Sequence, residues 1–115
     1  MQSCISMHKN NNNARGNFVI YAIELFGSIF KIGKADADRI TLTSGLPTRA
    51  HQQLRLLRNN FGNKFVDFFI IKTLFSVTTK NAKDEELATL ENEIKRTGEV
   101  PEGNKKSYRK NKAKK

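Results

Sequence analysis

Two short apolar segments, Val19-Ile20-Tyr21 and Phe30-Lys31-Ile32-Gly33-Lys34, stand about ten residues apart and constrain the fold of this chain more than any other stretch. Phe18, Ile20 and Ala22 alternate with Val19, Tyr21 and Ile23, the period of two that a strand needs to place side chains on both faces. Leu25 to Ile29 then supplies a reversal, because Gly27-Ser28 admits the positive backbone angle of a tight hairpin turn. A second strand, Ile29 to Ile32, follows at once, so the pair reads as a hairpin around which the remaining elements pack.

A chain of 115 residues makes one domain with a modest core. The apolar deficit lies at the ends. Residues 1–16 include Asn10 to Asn13 in a row, a polar stretch with nothing to bury, and read as a disordered arm. Cys4, Ile5 and Met7 are interrupted by polar residues, so no signal peptide is expected, and no apolar run approaches a membrane span. The single cysteine excludes an internal disulfide and fits an intracellular, reducing compartment, cytoplasm or nucleus. Residues 105–115 carry seven of the 21 basic residues and no acid, leaving 14 basic against 11 acidic groups in residues 1–104. This basic tail reads as disordered and attracted to phosphate.

Between the ends, residues 17–104 read as the folded domain. Ala35 to Pro47 is a polar loop long enough to carry function. Thr48 is placed to open and cap a helix whose Ala50, Leu54 and Leu57 form one buried stripe. Arg49 sits in its first turn, where the helix dipole disfavours a cation unless an anion joins it. Asn59 to Lys64 is a turn. Phe65 to Val77, rich in aromatic and β-branched residues, reads as the central strand, buried on both faces. Ala82 to Arg96 is a second helix with Asp84, Glu85 and Glu86 in its first turn, stopped by Gly98. The order β-β-α-β-α gives an α+β fold, a small three-stranded antiparallel sheet flanked by helices. On the second helix Leu87, Leu90 and Ile94 define the apolar stripe, and Glu91 lies roughly 55° from its centre. A carboxylate at such an edge either reaches water or a lysine, or serves as one of the few protein ligands that Mg²⁺ takes.

Val19-Ile20-Tyr21, Lys31-Ile32-Gly33, an arginine opening the next helix, a helical glutamate and Pro101-x-x-Asn104 together resemble the GIY-YIG nuclease superfamily over about residues 18–104, in the branch with a Lys-Ile-Gly second motif. The resemblance implies a metal-dependent DNA endonuclease of low sequence specificity that hydrolyses phosphodiester bonds. It implies that Tyr21 lies near the attacking water, that Arg49 donates to the scissile phosphate with Arg39 as the competing candidate, and that Glu91 holds Mg²⁺ or Mn²⁺. Lys31 replaces the second motif's tyrosine and serves as a phosphate clamp or a base. Gly33 allows close backbone approach, and Asn104 contacts phosphate or braces the site. Gln53 stands where the family often has histidine, with His51 two residues away on another face. Lys34, His51, Lys105, Lys106 and Arg109 complete the expected nucleic-acid contacts, with DNA as partner and no membrane. The alternative is a module of the same fold that binds nucleic acid without cleaving it.

Overall fold

The computed structural model describes residues 15–108. Strands β1 (Arg15–Leu25), β2 (Ser28–Asp36) and β3 (Val66–Thr78) form one antiparallel sheet in the order β2-β1-β3. Helix α1 (Thr48–Phe61) connects β2 to β3, and helix α2 (Thr79–Thr97) follows β3. The architecture is therefore α+β, a three-stranded antiparallel sheet with helices packed on it. Cys4 and most of the polar arm and basic tail, Arg109 included, lie outside the described residues. The inner ends of both segments are ordered, against expectation: β1 begins at Arg15, and residues 105–108 are helical, with Tyr108 packed against the core.

The alternation along β1 decides the layering. Val19, Tyr21 and Ile23 bury against Ala50 and Leu54 of α1, with Ala35 and Val66 from the neighbouring strands. Ile20 and Ala22, facing the other way, bury against Ile32 and against Leu90 of α2. Each face of the central strand thus gains its own helix, and residues Phe18 to Ile23 are all buried.

The central position belongs to β1, which corrects the reading of Phe65 to Val77. β3 is an edge strand, and Phe69, Ile70, Ile71 and Phe75 are 41 to 73% exposed. An apolar, β-branched run has the same composition whether its outer side meets a neighbour or solvent.

Local chemistry also moved three boundaries. The hairpin turn lies on Phe26-Gly27, both at positive φ (53° and 82°), and not on Gly-Ser. Phe26 is held in this unfavourable region by its N–H donating to the Phe65 carbonyl at 2.9 Å and by its ring packing on Phe61 and Phe65. Thr48 does not cap α1: Pro47 occupies the N-cap, and both the Thr48 amide and hydroxyl donate back to the Arg39 carbonyl. Helix α2 starts at Thr79, because the Thr78 hydroxyl accepts from the Asn81 amide, so none of its acids falls in its first turn. No helix among the described residues is long and apolar enough to cross a membrane.

Candidate active site

Tyr21 and Gly33 face each other across β1 and β2. Tyr21 is fully buried, and its hydroxyl donates to the side-chain carbonyl of Gln53 on α1. Its ring lies directly over the Gly33 backbone: a Cβ at residue 33 would fall 2.8 Å from Tyr21 Cε1 and closer still to Cζ. Glycine is required here for space, since no side chain fits under the phenol. Gly33→Ala is expected to destabilise the fold by about 1–3 kcal/mol in urea denaturation. In a double-mutant cycle with Tyr21→Leu, most of that cost should disappear.

Around this pair the sheet and both helices bring together a half-buried carboxylate and several cations, with Asp36 of β2 also acting on Lys34. Lys31 and Lys34 come from β2, Arg49 from the start of α1, and Glu86 from α2. Burial and the neighbouring charges act on the ionisation of Tyr21, Lys31, Lys34 and Glu86. Burial pushes the Tyr21 phenol up to about 12, with Arg49 opposing and Glu86 adding to the rise. Burial lowers the Lys31 ammonium, Arg49 lowers it further, and Glu86 counteracts both. Lys34 is likewise lowered by burial and partly restored by Glu86, while its ammonium lies 5.3 Å from the centre of the Phe18 ring. The Glu86 carboxyl is raised by burial, against the pull of Lys34, Arg49, Lys31 and Lys83. At neutral pH the phenol is thus protonated and a donor to Gln53.

Beside these groups opens a cleft of about 350 Å³ lined by Phe18, Lys34, Asp36, Arg39, Thr48, Arg49 and Gln52. Arg39 and Arg49, alternatives in sequence, line the same cleft, one from the loop and one from the helix. Arg49 is exposed, and its planar fork is free in shape to meet two oxygens of a phosphate.

The carboxylate acting on Tyr21, Lys31 and Lys34 alike is Glu86, not Glu91. Glu91 is half-buried and lies five residues on, about 140° around the helix from Glu86. The signal for Glu86 was present in the sequence: Ala82, Glu86, Leu90 and Ile94 recur every four residues, which sets a carboxylate in the middle of a packed row. Placing the helix start at Ala82 turned that position into a first-turn acid.

Asn104 is buried, and its amide donates to the Ile32 carbonyl and accepts from the Ile32 N–H, both at 2.8 Å. Both polar ends are used by the backbone of β2, so it braces that strand's outer edge. Gly103 permits the approach, because a Cβ there would meet the Phe30 ring at 2.8 Å. His51 pairs through Nδ1 with the Ser44 hydroxyl at 2.9 Å, on the loop side of α1. Lys105 pairs with Glu102 at 3.1 Å, and Lys106 is exposed. Searched against family models, curated proteins and solved structures, the chain matches none.

Proposed function

We propose that this chain is a metal-dependent endonuclease that hydrolyses DNA phosphodiester bonds with little sequence selectivity. The observation that carries the reading is the convergence of Tyr21, Lys31, Lys34, Arg49 and Glu86, from four elements, beside a cationic cleft. Arg49, Arg39 and Lys34 bind the scissile phosphate and its neighbour, and Lys31 clamps the phosphate from the β2 side. The protonated Tyr21, buried and donating to Gln53, holds that side chain in place behind the site and does not abstract a proton from the attacking water. A half-buried carboxylate with water and phosphate oxygens makes up the lean oxygen set that suits Mg²⁺ or Mn²⁺, and Glu86 would hold it. When bound, such an ion polarises the phosphate and stabilises the departing oxygen.

A second reading is favoured by one specific feature: Lys31, Lys34 and Arg49 already neutralise Glu86, which weakens its attraction for a metal. On that reading the same surface binds nucleic acid without cutting it. Purified protein incubated with supercoiled plasmid and Mg²⁺ or Mn²⁺ separates the two. Nicking by the wild type, reduced about a hundredfold or more in Arg49→Ala, is the expected result. Binding in a gel shift without nicking under either metal would sink the endonuclease and leave the binder.

A further inference from the structure

The sheet treats its two edges differently. The outer edge of β2 is closed at Ile32 by the Asn104 amide. The outer edge of β3 has no strand beside it among the described residues, although β3 is 13 residues long and contains no proline. Phe69, Ile70, Ile71 and Phe75 are exposed along it. A long apolar edge strand is a template for pairing unless it is protected, and β3 carries a single lysine over its whole length.

Its chemistry names the occupant. Asp67 and Lys72 are the only charges on β3, so the strand is neutral in a chain of net charge +10 and offers nothing to nucleic acid. The two charges are also spaced to match a second copy, and in that pairing Lys72 sits between Glu85 of its own α2, which it holds at 2.8 Å, and the second copy's Asp67. β3 pairs Ile70 with Tyr21 and Lys72 with Ile20, so Ile71 is an extra, bulged residue that takes no place in the alternation of faces. Counting outward from Phe69 with Ile71 omitted, an antiparallel two-fold pairing sets Phe69 against Phe69 of the second copy and Phe68 against its Ile70. It also sets Asp67 against the second copy's Lys72, and the symmetry repeats that contact. Every pair in this register shares a face of the sheet, as directly opposed residues must. The Val66 carbonyl, which accepts from Arg58 at 3.3 Å, and the positive-φ residue Ser76, held by the Asn17 side chain at 2.9 Å, bound the paired stretch.

We infer that β3 is the interface of a two-fold dimer of this chain, with two sheets joined edge to edge into one of six strands through Phe69, Phe68–Ile70 and paired Asp67–Lys72 contacts. Closed isologous pairing also removes the open edge that would otherwise propagate.

Sedimentation equilibrium of the full-length chain over a dilution series tests this. The expected mass is twice 13.1 kDa at the upper concentrations. Asp67→Lys, which puts lysine against lysine twice, should raise the dissociation constant by about tenfold. The charge swap Asp67→Lys with Lys72→Asp, made together with Glu85→Lys so that residue 72 keeps an oppositely charged partner within its own chain, should restore it, a recovery that no loss of folding could mimic, and circular dichroism confirms each variant is folded. A wild-type monomer, whether residues 1–14 cover β3 or nothing does, overturns the proposal. So does a dimer indifferent to Asp67→Lys, or a swap that fails to recover association. Plasmid nicking is measured separately, and none of these outcomes depends on it.

Discussion

Glu86→Gln is expected to abolish plasmid nicking, by about a hundredfold or more, while DNA binding becomes tighter. The amide keeps the shape of the side chain and removes its charge. That deletes the ligand proposed for the metal, and it also removes an anion that repels phosphate among Lys31, Lys34 and Arg49. A binding surface with no cleavage role would show only the second effect. Glu91→Gln, run in parallel, decides between the two carboxylates: loss of nicking there with retention in Glu86→Gln would return the role to Glu91.

The same substitution has a signature in stability. Burial raises the Glu86 carboxyl above its ordinary value of 4.5, so the folded state prefers its protonated form. For a raised group, the stabilising contribution is complete below the unfolded value and is lost as pH rises through the folded value. At neutral pH the wild type therefore carries an unrelieved penalty. The melting temperature of Glu86→Gln should exceed that of the wild type there, and the gap should close on acidification. Because nicking needs the ionised form, the acid limb of its pH profile should lie above the range of an exposed carboxylate. A variant less stable than wild type at neutral pH would show that the carboxylate is held by its cations more strongly than burial opposes it.

Asn104→Leu is expected to have the largest effect on stability, about 2–4 kcal/mol in urea denaturation. It leaves two buried backbone groups of Ile32 without partners, each worth roughly 1–3 kcal/mol when stranded, less what the leucine regains by burial. Asn104→Asp keeps the acceptor for the Ile32 N–H and loses the donor to its carbonyl, so its cost should be intermediate. Hydrogen exchange reads the contact directly. The Ile32 amide should lose protection in Asn104→Leu beyond the global change, and unaltered protection would refute the brace.

Much of the fold and part of the site were legible in the sequence, and the division has physical causes. The hairpin and the α1 stripe of Ala50 and Leu54 follow from local periodicity, which acts over a few residues, whereas the pairing of Tyr21 with Gly33 depends on the turn, which falls on Phe26-Gly27 and not on Gly-Ser. The status of β3 was not legible, because its residues carry no record of whether a neighbour lies beyond them. Glu86 escaped through a three-residue error in the start of α2. The Thr78 cap sets the true register, and with it Glu86 joins the row of Ala82 and Leu90. Asn104 could be named from the resemblance but not assigned its partner, because nothing local links it to a residue 72 positions earlier.

That separation also bears on how the domain is made. During synthesis the hairpin, α1 and β3 emerge first, and β2 has its inner edge on β1 long before Asn104 exists to close its outer one. The nascent domain therefore presents two open sheet edges in succession of repair: Ile32 is sealed by a later part of the same polypeptide, and β3 by an encounter with another. Assembly of the β2 side is a first-order event set by elongation, whereas closure of the β3 side is second-order and depends on how many copies are being made nearby.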